Sequence, residues 1–290
     1  MRTEEELAPT GEDAEPIRPR GRGRRALVWT AATLLVLVAA MAPLAYLTFL
    51  RPPALDPQDF LDGDRSGDGP VVVIAGASSV HGIGSADFVG LLRDRFAADG
   101  HTFVNAGSNG DTAADLLARA DDIVAVNPDR AAVLVGTNNV LAAADGDEET
   151  ALADYRRDLE ALIARLDTET RAEIALYSLQ PLGEDLDDDG NRRLGRFNQV
   201  VAEVALAHGA AYLPLNETLA ETVRAEGGSQ PSDFSLGSAA LAGLRHYYLG
   251  QNWDEIGRSN GYRVLVDGVH LNDRGAAVAA DLAENWLRAT

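Results

Sequence analysis

At 290 residues, with 46% hydrophobic and 6% aromatic side chains, the chain is long enough for one sizeable core plus a further segment, and too apolar to be disordered throughout. Its formal net charge of −20, with arginine supplying all the basic charge, argues against nucleic acid as a partner, because phosphates would be repelled. The lack of cysteine excludes disulfides, a cysteine nucleophile and thiolate metal sites.

Residues 1–25 are polar and rich in Pro and Gly, and read as a disordered tail ending in Arg18, Arg20, Arg22, Arg24 and Arg25. Residues 26–50 carry no charged side chain. About 20 apolar residues span a bilayer as a helix, so this run is expected to be a transmembrane anchor, with Trp29 and Tyr46 near the two interfaces. The arginine cluster would stay in the cytoplasm. The expected protein is therefore single-pass in the cytoplasmic membrane, N-terminus inside, with everything after Arg51 outside. A cleaved signal ending at Ala40-Met41-Ala42, giving a secreted protein, is the alternative. The apolar run exceeds the roughly 7–15 residues of such signals.

Residues 51–69 are rich in Pro, Asp and Gly and read as a linker. From Pro70 onward, short apolar runs alternate with helical patterns. Residues 71–75, 103–106, 131–135 and 174–179 read as buried strands, with a short fifth at 212–213. Helices are expected over 87–98, 113–120, 149–166 and 192–208, and a last one over 273–288 with Asn272 as its N-cap. The alternation predicts an α/β fold over 70–290: a three-layer parallel sheet with helices on both faces, preceded by one transmembrane helix. Residues 226–262 are long for a connection. Within them Leu241, Leu244, Tyr247, Tyr248, Leu249 and Trp253 suit an amphipathic helix. It either packs a satellite core or forms a cap insertion over the site.

In a parallel sheet, ligands sit beyond the carboxyl ends of the strands. The first strand delivers Gly76-Ala77-Ser78-Ser79 to that edge. The second delivers Asn105 through Thr112, and the third Gly136-Thr137-Asn138-Asn139. Near the C-terminus stands Asp267-Gly268-Val269-His270-Leu271-Asn272. A serine alcohol needs a base, for which His270 is the candidate, and Asp267 can hold the imidazole in one tautomer. The Ser78 N–H, the Gly110 N–H and the Asn138 amide are candidate oxyanion donors. Ser79 is a second candidate nucleophile if the turn is shifted by one residue. His81 is a candidate pocket residue, while His101, His208 and His246 read as surface or core histidines.

These four blocks, in this order, resemble those of the SGNH/GDSL hydrolases. Gly76-Ala77-Ser78 is similar to that family's Gly-Asp-Ser. Asn109-Gly110-Asp111-Thr112 resembles its second block, Gly136-Thr137-Asn138-Asn139 its Gly-x-Asn-Asp, and Asp267 through Asn272 its last. The resemblance implies a flavodoxin-like hydrolase domain and catalytic Ser78, Asp267 and His270. It also implies an oxyanion hole of Ser78, Gly110 and Asn138, with no metal or organic cofactor. Ala77 departs from the family's usual Asp, and Asn139 stands where Asp is frequent. The expected activity is a membrane-anchored serine esterase that acts through an acyl-enzyme on a small-molecule, lipid or acylated-glycan ester. The rivals are a deacetylase or acetyl transferase of envelope polysaccharide, and a non-catalytic binding protein on a decayed hydrolase fold. Two further motifs read as bland. Asp185 through Gly190 mimics a calcium loop but meets Arg196 where a Glu is needed. Asn216-Glu217-Thr218 is a chance glycosylation sequon.

Overall fold

The computed structural model describes residues 22–64 and 67–289. Five strands form one parallel sheet: β1 (Val71–Gly76), β2 (Thr102–Gly107), β3 (Arg130–Leu134), β4 (Glu173–Tyr177) and β5 (Ala211–Leu213), in the order β2-β1-β3-β4-β5. β1 and β2 are buried along their whole length, as strands covered on both faces are; β1 is an unbroken apolar run, while β2 also buries Thr102 and Asn105. The chain leaves β1 toward β2, returns across β1 to β3, then continues outward. With right-handed crossovers, that reversal puts the first helix on one face and the next crossover helices on the other. Accordingly, Phe88–Arg95 packs with Asp273–Ala289, which also meets Leu215–Ala225. On the other side Ala113–Ala118, Ala120–Val126 and Asp189–Ala207 each pack against the long helix Glu148–Glu169. The reversal opens a crevice at the carboxyl ends of β1 and β3, the usual ligand position of this strand order.

The expected strands are present, with ends displaced by up to two residues. The helix expected over 113–120 is two, separated at Arg119. Within 226–262, one expected helix is two: Leu236–Tyr247 and Trp253–Ser259. Gly250 lies between them at φ +69°, and Asn252 caps the second. The helix Leu215–Ala225 had no counterpart in the sequence reading.

The N-terminal expectation requires correction. Among the described residues, no helix is long and apolar enough to cross a membrane. The transmembrane anchor over 26–50 falls on that finding, and the single-pass placement falls with it. The helix Arg22–Ala45 contains Pro43 and gives way to a π-helical turn, Tyr46–Leu50. The chain divides into two compact units at Pro43 and Leu44. The end of the expected span therefore belongs to the sheet domain, where Thr48 is buried against Gly243. Residues 1–21 of the expected tail lie outside the described residues. Residues 51–69, read as a linker, carry the helix Pro57–Leu61, whose Phe60 joins the core; residues 65 and 66 are outside the described set.

Candidate active site

Close packing at the sheet edge shapes the site. A Cβ on Gly76 would sit 2.1 Å from the Leu134 carbonyl oxygen, and one on Gly107 would sit 2.3 Å from the His81 nitrogen. Only glycine lets β1 and β2 end this tightly. The chain then turns through Ala77 into a four-residue helix, Ser78–His81. Buried Asn105 braces that helix: its amide donates to the Val80 carbonyl at 2.8 Å, and its oxygen accepts the Gly107 N–H at 2.9 Å.

Ser78, Asp267 and His270 meet. Ser78 Oγ lies 2.9 Å from His270 Nε2, and His270 Nδ1 lies 2.8 Å from Asp267 Oδ2. With Nδ1–H donating to the carboxylate, Nε2 is free to accept from the serine. All three are buried, Asp267 to 1% exposure. Asp267 Oδ1 also accepts the backbone N–H groups of Val269 and His270, at 3.2 and 2.9 Å. Gly268, at φ +82°, permits the turn that folds the carboxylate under its own loop. Burial pushes the Asp267 carboxyl up, but the His270 charge and these hydrogen bonds outweigh it and hold the group below its ordinary value. Burial likewise pulls His270 down, and the charge and hydrogen bond of Asp267 reverse this, leaving the imidazole above its ordinary value.

Of the other expected oxyanion donors, Gly110 lies in the loop after β2 and Asn138 in the first turn of the helix Thr137–Ala142 that follows β3. The Asp111 N–H reaches the Ser108 carbonyl at 3.3 Å and closes a turn whose third residue, Gly110, stands at φ +86°. The half-buried Asn138 donates to the Asp111 carbonyl at 2.8 Å, which leaves its second amide hydrogen over. Asn139 accepts the Ala113 N–H at 3.0 Å. An amide oxygen performs that task as well as a carboxylate would, so the departure at this position costs no contact of this kind. Ala77 supplies no side-chain cap to the serine turn.

Ser79 does not face the histidine. Its hydroxyl accepts from Gln180 Nε2 at 2.8 Å, and the same amide reaches the Val269 carbonyl at 3.1 Å. Gln180 thereby joins the serine and histidine segments. His81 is turned to the Arg51 carbonyl at 2.6 Å, and burial lowers its pKa. His101 packs against Phe96 and Phe103, and His246 stacks on Trp253. From the long segment 226–262, Phe234 sets its ring edge-on to His270 with centroids 5.5 Å apart. The acidic loop behaves as helix chemistry, with Asp188 accepting the Asn191 N–H as an N-cap. Among the described residues, no group of three or more His, Asp or Glu is set to hold a metal ion.

Two further residues were missed by the sequence reading. Arg119 bonds the ends of β1 and β2 and the side chain of Asp111. Glu184, fully buried, accepts the N–H groups of Arg263 and Val264 at the root of the Asp267 loop, and burial raises its pKa. Neither belongs to a local motif.

A model of the GDSL-like lipase/acylhydrolase family matches residues 74–278, which takes in every segment of this site. The chain belongs to the GDSL-like lipase/acylhydrolase family. As a GDSL-type acylhydrolase it is a serine esterase. Three solved structures share the fold of this family member. AlAXEase, an acetyl xylan esterase, has a TM-score of 0.59 at 18% identity, covering 75% of this chain and 99% of that one. Axe2, an acetylxylan esterase from Geobacillus stearothermophilus, gives 0.54 at 18% identity, with 77% and 95% covered. LAE5, an alpha/beta hydrolase enzyme from the metagenome of Lake Arreo, Spain, gives 0.52 at 21% identity, with 76% and 95% covered. No curated protein matches the chain by sequence.

Proposed function

We propose that this esterase cleaves carboxylic esters through an acyl-enzyme on Ser78. The observation that carries the reading is the unbroken run of contacts from Ser78 Oγ through His270 to Asp267. His270 takes the serine proton as the oxygen attacks the ester carbonyl, and Asp267 steadies the imidazolium that forms. The oxyanion of the tetrahedral intermediate is held by the Ser78 and Gly110 N–H groups and the Asn138 amide. His270 then protonates the leaving alcohol. A water, activated by the same imidazole, releases the acid and restores the serine.

Replacing Ser78 by Ala is expected to abolish turnover of a nitrophenyl acetate; undiminished turnover would refute the assignment. Asn138→Ala is expected to lower kcat by about 10²–10³. Both apply to folded protein, checked by circular dichroism. Among ester classes we favour acetyl esters of carbohydrates, supported by the fold shared with two acetyl xylan esterases. Acetate release from acetylated xylan faster than acid release from longer-chain lipid esters is the expected outcome. The reverse order would move the substrate to lipids and leave the Ser78 mechanism standing.

A further inference from the structure

We infer that Arg119 is a positioning residue that sets the oxyanion side of the site; the inference rests on the esterase reading above. Arg119 stands in the break between the helices Ala113–Ala118 and Ala120–Val126, where the backbone leaves helical geometry and turns its side chain to the sheet edge. Its Nη2 donates to the Ala106 carbonyl at 2.9 Å and the Gly76 carbonyl at 3.2 Å. Its Nε donates to Asp111 Oδ2 at 2.6 Å. One planar fork thus spans the end of β1, the end of β2 and the loop after β2.

Asp111 is the residue through which this grip reaches the reacting groups. Its N–H closes the turn that presents Gly110, and its carbonyl receives the Asn138 amide at 2.8 Å. Both proposed oxyanion donors outside the serine turn therefore hang on one residue, and Arg119 clamps that residue's side chain. Gly76, two residues before Ser78, is gripped by the same guanidinium. The nucleophile's strand end and the donor loop are thereby fixed relative to each other. Arg119 itself carries no reacting atom. A lysine cannot reproduce three bonds in a planar fork, so charge alone does not replace it.

An oxyanion donor is needed chiefly in the transition state, so loosening it lowers kcat and leaves KM nearly unchanged. A displacement on the order of 1 Å costs about 10²-fold in rate. Arg119→Met is expected to lower kcat for nitrophenyl acetate by about that factor. Arg119→Lys should recover only part, and Asp111→Asn, which keeps the side chain's shape, should lower kcat in the same direction. The acid limb of the pH profile should not move, because the Asp267–His270 pair is untouched. The decisive measurement is a double-mutant cycle: in an Asn138→Ala background, Arg119→Met should cost less than in the parent, because only the Gly110 donor is left to displace. Rates are taken per active site, titrated with a fluorophosphonate, so that partial unfolding is not read as lost catalysis.

An unchanged kcat per titrated site, a rise in KM alone, or a full multiplicative cost beside Asn138→Ala would each overturn the inference, while the esterase reading stands as long as Ser78→Ala is dead. Full turnover in Ser78→Ala would take both down.

Discussion

At the scale of single residues, the buried Asp267–His270 pair makes a directional claim about pH. The carboxylate raises the imidazole above its ordinary value of about 6.5. Only neutral His270 can accept the serine proton, so kcat/KM should rise with pH through a midpoint above that value. Asp267→Asn removes the group that raises it and leaves the burial that lowers it. The midpoint should then fall, and kcat should drop by about 10⁴ as the imidazole loses its tautomer. A kcat/KM profile that stays flat from pH 5 to 8 would contradict the pairing. Ser79→Ala is a second test. Its hydroxyl is engaged by Gln180 rather than His270, so turnover should persist within a few-fold, at a stability cost of about 1–3 kcal/mol for the one Gln180 N–H left without its acceptor. Dead Ser79→Ala beside active Ser78→Ala would shift the nucleophile by one residue. That Ser78, Asp267 and His270 would come together was legible in the sequence, because each lies in a short block at the sheet edge or ahead of the last helix. Arg119 was not legible. Its partners Gly76, Ala106 and Asp111 come from three separate points of the chain, and one arginine among many carries no mark of what it touches.

At the scale of elements, the buried strands were readable because a strand covered on both faces is apolar along most of its length. The helix Leu215–Ala225 was hidden. It buries Leu215, Leu219, Ala220 and Val223, a helical stripe, but Pro214 ahead of it and the polar run Asn216-Glu217-Thr218 resemble a loop. Asn216 of that run donates to the Leu179 carbonyl at 2.9 Å, so its amide is engaged in the fold. The glycines make a prediction of opposite signs. A Cβ at Gly76 meets backbone 2.1 Å away, and neither strand can yield without breaking the ladder. Gly76→Ala should destabilise by about 1–3 kcal/mol or more. Gly195 lies exposed inside the helix Asp189–Ala207 with nothing within 4 Å of an added Cβ. Gly195→Ala should stabilise by about 0.5–1 kcal/mol through lost freedom of the unfolded chain. Urea titrations of the two variants check both, and a Gly76→Ala midpoint equal to the parent's would refute the packing argument.

At the scale of the whole molecule, the question is where the folding unit begins. The sequence suggested Pro70, where alternating strands and helices start, because the preceding stretch, rich in Pro, Asp and Gly, reads as a linker. The structure instead shows a compact unit from Leu44 to Thr290. Residues 44–64 have tasks in it. Thr48 is buried beside the helix Leu236–Tyr247, and Phe60 sits in the main core. The Leu55 carbonyl accepts the Asn105 N–H at 2.9 Å, and the Ala54 carbonyl accepts from Arg93 at 3.0 Å. The Arg51 carbonyl meets His81, the last residue of the serine helix, at 2.6 Å. Burying Phe60 alone is worth about 1.5–3 kcal/mol, and each lost backbone or side-chain bond adds about 0.5–1.5. Against a typical total stability of about 5–15 kcal/mol, removal of all of these is severe. A chain spanning 44–290 keeps all of these contacts and is the reference. A chain spanning 70–290 should melt about 10 °C lower or fail to fold, and lose turnover as the brace behind Ser78 goes. Equal melting temperatures for the two shortened chains would return residues 51–69 to the status of a tether.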